Sequence, residues 1–232
     1  AATKLQKKDD KFAILEYAGH MKYEYELISH NYIRGFHLFL VRILYRTPHL
    51  HREFEVNLIL DGSVEILSQG REYHAETGDF FVFDPYQPHE LRAREGTVLI
   101  LSIQISPAFF SDYFPQMESV RFGTEIFHRA ASPRHQQLYR QLLELTCCYC
   151  QKAPFYELDC AGNINALFRA LLDVSAFTVV SEAERPAQRA RQERVRYLAE
   201  RIEGGFSEKL LLGDLAKELG VDLYYLSHFF RE

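Results

Sequence analysis

Between Glu24 and Ile105 the chain repeats one device: a short apolar, β-branched run, a turn signal, then another such run. HLFLVRILY, EFEVNLILDG, SVEILSQGREYHAETGDFFVF and GTVLILSIQI carry the density of Val, Ile, Leu and Phe expected of strands. Asp61-Gly62 between two alternating runs is a strong hairpin signal, and Gln69-Gly70 and Thr77-Gly78-Asp79 mark further turns. Strands this short and this regularly spaced imply a β-sandwich or barrel.

After Pro107 the period changes. Phe109, Phe110, Tyr113 and Phe114 cluster in a short helical connection, and a loop then leads to Ser132-Pro133. Leu138, Leu142, Leu145 and Tyr149 fall at helical spacing, as do Leu158, Ala161, Ile164, Phe168 and Leu171, with Lys152-Ala153-Pro154 between the two amphipathic helices. The polar stretch Ser181 to Glu193, with Pro186 and alternating charges, reads as a linker entering a helix. Beyond it Val195, Leu198, Ile202 and Phe206 form one stripe that Gly204-Gly205 terminate. The expected class is α+β: a β-barrel over residues 1–132, a helical pair over 133–180, a linker over 181–193 and a helical module over 194–232.

Composition narrows the function classes. With 232 residues, a net charge of −5 and a pI near 6.1, the chain has no overall basic excess, so any nucleic-acid contact must be local. The opening AATKLQKKDDKF lacks an apolar signal core, and no apolar run approaches the roughly 20 residues of a membrane span, so a cytoplasmic location with no membrane contact is expected. Cys147, Cys148, Cys150 and Cys160 are expected as free thiols. Cys147 and Cys150 form a C-x-x-C pair, but no second pair or histidine cluster completes a zinc site, and redox or metal sensing stands only as the alternative.

The chemistry concentrates in PHLHREFEVNLILDG, Pro48 to Gly62. Residues two apart on a strand share a face, so the parity that points Glu55 inward also points Asn57 and Ile59 inward and aligns His51, while His89 approaches from a neighbouring strand. Three imidazoles and one carboxylate with open positions suit a divalent transition metal such as zinc, iron, manganese or nickel, held by His49, His51, Glu55 and His89. The same inward groups can instead hydrogen-bond a small polar effector through His49, His51, Glu55, Asn57 and His89 with no cofactor required, or merely close a strand end.

His49-x-His51-x-x-x-Glu55 followed by six residues to Gly62 resembles the first signature of the cupin barrel, and Gly78-Asp79 leading through FFVFDPYQP to His89 resembles the second. The chain departs from that pattern at Ile43 and Tyr86, where glycine is usual. The last residues, LLLGDLAKELGVDLYYLSHFFRE, read as a helix from Asp214 to Leu219, a tight turn at Gly220-Val221 and a second helix capped by Asp222. Leu215, Ala216, Leu219, Val221, Leu226 and Phe230 supply a small core, which makes a helix-turn-helix signature.

That signature is similar to the first helix-turn-helix of the AraC family of transcriptional regulators. Its D-L-A, G, Y-L and late phenylalanine are met by Asp214-Leu215-Ala216, Gly220, Tyr225-Leu226 and Phe230. The resemblance implies a cupin-like double-stranded jelly roll that binds effector, a helical pair and a DNA-binding module, with Tyr224, Ser227 and His228 facing the major groove and Leu223 and Arg231 near the backbone. It also implies a non-enzymatic, ligand-responsive, sequence-specific regulator. Its expected partners are operator DNA, a small-molecule effector such as a sugar, RNA polymerase and a second copy of the chain. The helices of residues 133–180 are the expected homodimer surface, because their apolar stripes exceed what one barrel face need cover.

The competing reading is a metal-dependent cupin enzyme, an oxygenase or isomerase, which leaves the C-terminal constellation as coincidence. Two departures accompany the resemblance. Leu210-Leu211-Leu212 offer no polar cap to the first motif helix, and the family's second helix-turn-helix does not follow before Glu232, so the sequence looks like a truncated regulator. From Arg189 to Glu232, eight basic residues are matched by eight acidic ones, which implies weak, strongly salt-dependent DNA binding.

Overall fold

The burial of FEVNLILD from Phe54 through Ile59 has a geometric cause: this strand is covered on both faces. Phe54, Val56 and Leu58 lie in one buried cluster with the helices, and Ile59 lies in a second cluster between two sheets. The computed structural model describes residues 14–17, 24–25, 33–204 and 211–224. The chain divides into two compact units, residues 1–180 and 181–232.

Unit 1 holds the strands β1 (Ile14–Tyr17), β2 (Glu24–Tyr25), β3 (Phe36–Ile43), β4 (Tyr45–Leu50), β5 (Phe54–Asp61), β6 (Ser63–Ser68), β7 (Arg71–Glu76), β8 (Phe80–Phe83), β9 (His89–Ala93) and β10 (Val98–Ile105). Two short pieces, β11 (Val120–Arg121) and β12 (Ile126–Phe127), follow, then helices α1 (Pro133–Gln151) and α2 (Tyr156–Val174), then β13 (Thr178–Val179). One sheet has the order β1-β3-β10-β5-β8-β12, the other β2-β4-β9-β6-β7, and β11 pairs with β13 alone. No strand pairing joins the two large sheets among the described residues, so the expected barrel takes the form of a cupin-like sandwich.

The layers follow from side-chain parity. On the six-stranded sheet, Leu38, Phe54, Val56, Phe80, Val82, Leu101 and Ile103 face outward under the helices, which bury Leu138, Leu142, Leu145, Ile164, Phe168 and Leu171 against them. Aromatic edges tie this layer: Phe168 meets Phe54 at 5.3 Å and Phe110 at 4.9 Å between ring centroids. The opposite face of the same strands carries Ile59, Phe81, Phe83, Val98 and Ile100 toward Val64, Ile66, Leu91 and Ala93 of the five-stranded sheet.

Three sequence expectations change here. Asp61-Gly62 does not close a hairpin: β5 and β6 lie in different sheets, and the turn passes the chain from one to the other. Gly62, at φ +90, sits so close to the next loop that a Cβ would lie 3.0 Å from the Thr97 carbonyl oxygen. Gln69-Gly70 does close a two-residue hairpin, with Ser68 opposite Arg71 and both turn residues at positive φ. On α2 Leu158 is 74% exposed rather than part of the buried stripe, and Cys160 and Leu167 take up that role. The inner stripes of α1 and α2 cover the chain's own sheet, while Phe155 and Leu158 remain exposed on the helical pair.

Unit 2 contains α3 (Arg185–Gly204) and α4 (Leu212–Glu218). α3 begins inside the stretch expected as linker, with Pro186 in its first turn, where the missing N–H has no intrahelical partner to lose. Leu198 of α3 is buried with Leu215 and Ala216 of α4, and Leu219 and Val221 cover them. The Arg201 guanidinium donates to both oxygens of Glu218 at 2.9 and 2.7 Å, and the Tyr197 hydroxyl donates to the same carboxylate at 2.5 Å.

Candidate effector and metal site

Four side chains from both sheets converge. Strand β4 delivers His49, with His51 just beyond it; β9 opens on His89, directly opposite His49; and Glu55 arrives from β5 in the facing sheet. Residue exposure is 3% for His49, 1% for His51, 5% for Glu55 and 2% for His89. Their candidate ligand atoms all lie within 4.8 Å of one another. Pro48, which cannot donate to a ladder, falls where the β4–β9 register shifts between Arg46 and His49, and this irregularity keeps both of those residues facing the interior.

Each imidazole is fixed by its neighbouring backbone. Nδ1 of His49 lies 2.8 Å from the Thr47 carbonyl, Nδ1 of His51 3.1 Å from that of Glu53, and Nδ1 of His89 2.8 Å from that of Gln87. A carbonyl only accepts, so each Nδ1 carries a proton and Nε2 is left for the cluster, where Nε2 of His51 carries a second proton in its bond to the Glu55 carboxylate and those of His49 and His89 present lone pairs. His51 Nε2 meets Glu55 Oε2 at 2.6 Å; His89 Nε2 lies 3.3 Å from the same oxygen but finds no hydrogen-bond partner. The Ser102 hydroxyl donates to the other carboxylate oxygen at 2.5 Å, and the Phe83 ring stacks on His89 at 3.9 Å.

Electrostatics point the same way. Burial pushes the Glu55 carboxyl up, but the hydrogen bond from His51 and the close approach of His89 outweigh it and hold the group well below the usual carboxylate range. Burial, reinforced by His89 and by the Arg46 cation, drives His49 well below ordinary imidazole values, and burial lowers His89 against the pull of Glu55. Ionised Glu55 beside neutral His49 and His89 suits a cation, which on binding would displace the proton His51 shares with Glu55. Convergent Nε2 atoms, a carboxylate and an orphaned buried nitrogen therefore fit a divalent transition metal, which these four residues could hold.

Asn57, 1% exposed, shares the face of Glu55 and lies opposite Ser102, and its Nδ2 has no partner. Three contributors were missing from the sequence reading. Ser102 was detectable as the lone hydroxyl at inward parity in VLILSIQI, whereas Gln87 and Arg46 gave no sequence signal. Tyr86 explains the departure from glycine noted above: it adopts φ +61, the left-handed region that glycine enters freely.

In unit 2, Leu223 and Tyr224 follow the turn at Gly220 with helical backbone and are 52% and 78% exposed. Ser227, His228 and Arg231 lie outside the described residues, as do Leu226 and Phe230. α4 starts at Leu212 after Leu211, without a side-chain cap, in keeping with the apolar run there.

A cupin-2 domain protein from Shewanella frigidimarina matches at 19% identity and a TM-score of 0.30, covering 32% of this chain and 74% of its own. The DMSP lyase DddQ from Ruegeria pomeroyi matches at 24% identity and 0.30, covering 31% of this chain and 39% of its own. An HTH_3 family transcriptional regulator from Vibrio cholerae matches at 20% identity and 0.29, covering 32% and 44% respectively. No curated protein matches the chain. The family model of the AraC-like ligand-binding domain matches residues 42–199, well over half of the 232, and on that match the chain belongs to the AraC-like ligand-binding domain family.

Proposed function

We propose that the chain is a ligand-responsive, sequence-specific DNA-binding transcription regulator. In this reading unit 1 senses a small polar metabolite such as a sugar through His49, His51, Glu55, Asn57 and His89. The observation that carries the proposal is the AraC-like ligand-binding family match over residues 42–199; α4, the Gly220 turn and the helical backbone of Leu223-Tyr224 are what the first half of a helix-turn-helix would need. Tyr224, Ser227 and His228 would read base edges, with Leu223 and Arg231 at the backbone of operator DNA. Effector binding regulates only by its different affinity for two arrangements of the molecule. A homodimer and contact with RNA polymerase belong to the same proposal; with the inner stripes spent, the self-contact would use the outer surface near Phe155 and Leu158, which are 76% and 74% exposed.

The backbone carbonyls that take up Nδ1 of His49, His51 and His89, leaving Nε2 of each for the cluster, favour one refinement: the sensing site holds a divalent metal. Such an ion would offer open coordination positions to oxygen or nitrogen atoms of the effector. The protein's own part is to keep three imidazole nitrogens and one carboxylate close together, and to present the Asn57 amide beside them.

Selection of random-sequence DNA at micromolar protein tests the regulator. The expected outcome is enrichment of a motif that Tyr224→Ala together with Ser227→Ala abolishes. If no sequence is enriched, and a substrate is found whose turnover vanishes in Glu55→Ala, the enzyme reading replaces this one. Elemental analysis, then thermal shift with sugars and organic acids with and without chelator, decides the metal; equal stabilisation in both conditions removes it.

A further inference from the structure

The loop between β8 and β9 touches the cluster at two points. The Tyr86 amide donates to the His51 carbonyl at 2.7 Å, and the Gln87 carbonyl holds His89 Nδ1 at 2.8 Å. The same loop is bolted to a distant segment. The Asp84 carboxylate accepts from the amides of Phe122 and Gly123, both at 2.8 Å, and the Gln87 amide donates to Thr124 Oγ1 at 2.5 Å and Ser68 Oγ at 2.8 Å. The Gln87 side-chain oxygen accepts from the Asp84 amide at 2.9 Å, closing the unit on itself. Asp84 and Gln87 are each 4% exposed, and the bonds to Phe122, to Ser68 and between the two residues are buried, where a lost partner is not readily replaced by water.

The segment gripped by Asp84 and Gln87 follows β11, which pairs only with β13, and the Val180 amide donates to the Ser119 carbonyl at 2.9 Å. Val180 is the last residue of unit 1. Hydrogen bonds joined by short stretches of backbone, 84–87 and 120–124, therefore lead from His51 and His89 to the point where the chain leaves for its second unit.

We infer that Asp84 and Gln87 are positioning residues that join the ligand cluster to the β11–β13 exit, so that occupation of the cluster is felt at residues 178–180. The inference rests on the reading of the four-residue cluster as a metal-holding sensor site. A purely structural loop would need to satisfy its own buried groups. Asp84 instead spends its carboxylate on backbone amides 38 and 39 residues away, and Gln87 shares its amide between Thr124 and Ser68.

Amide hydrogen exchange by mass spectrometry on the full chain tests this, with and without Mn(II), an ion that thiols such as Cys147 and Cys150 bind poorly. In wild type, Mn(II) should slow exchange at residues 120–124 and 178–180 as well as around the cluster. Asp84→Asn leaves one amide facing an NH2 donor without making a cavity. It should speed metal-free exchange at residues 122–124 and 178–180 about tenfold, the scale of one lost buried hydrogen bond, while sparing β5 and β10. It should also bind Mn(II) within about threefold of wild type yet lose the protection at 178–180. Thr124→Val, which removes only the Gln87 contact, should show the same effect in smaller measure and guards against misfolding of the first variant. Protection that stays confined to the cluster in wild type, or that persists at 178–180 in Asp84→Asn, overturns the inference. An electron paramagnetic resonance signal showing all Mn(II) free would sink the metal reading instead, and the metal-free comparison would then decide the tie between Asp84 and the exit strand.

Discussion

Glu55 is the residue on which the site turns, since it alone reaches the cluster from the six-stranded sheet and both His51 and His89 face its Oε2. Glu55→Gln keeps the volume and removes the charge, and we expect Mn(II) affinity by calorimetry to fall by more than about tenfold. Proton linkage gives a second expectation. Unfolded, His49 and His89 titrate at their ordinary value of 6.5; folded, burial keeps them neutral to lower pH, so below that value the unfolded chain binds more protons and stability falls. Glu55 acts in the same sense: its folded value lies below the ordinary 4.5, so the stability it contributes is present above that pH and is lost as pH falls through the folded value. The melting temperature of chelated protein should therefore drop steadily from pH 7.5 to pH 4, and a flat profile would count against the buried, neutral histidines.

At the scale of elements, α2 is held by what it presents to the sheet rather than by its length. Phe168 is 1% exposed between Phe54, Phe110 and Phe122, so Phe168→Ala should cost unit 1 about 3–5 kcal/mol in urea unfolding. Leu158→Asp on the same helix should stay within about 0.5 kcal/mol, because that side chain is 74% exposed. In unit 2 the latch between α3 and α4 is polar and exposed. The Arg201 guanidinium and the Tyr197 hydroxyl hold Glu218 down at about 2, so its carboxyl should titrate near that value by NMR, and Arg201→Gln should bring it back toward 4.5. The latch is present above the ordinary carboxylate value and is lost only as pH falls toward 2.

For the whole molecule, charge sets the expectation for DNA. The eight basic and eight acidic residues between Arg189 and Glu232 leave no local positive excess, so gel-shift binding by this chain should appear only at micromolar concentration and weaken steeply with salt. Tight, specific binding below that range would refute the charge argument. Much of the candidate site was legible beforehand, because strand parity alone places Glu55 with Asn57, and the spacing of His49, His51 and His89 is a local property of the chain. The alternation also announced the strands, the 3.6-residue period announced α1 and α2, and Gly220 marked the turn after α4. Three things were decided only in three dimensions. Asp61-Gly62 passes between sheets because partners for β5 and β6 come from strands far away in sequence. The stripes of α1 and α2 are covered by the chain's own sheet, which no count of apolar residues reveals. Carbonyls of Thr47, Glu53 and Gln87 orient each histidine through its Nδ1, and Asp84 grips Phe122 and Gly123, since hydrogen bonds depend on where folding brings two groups rather than on which residues the sequence contains.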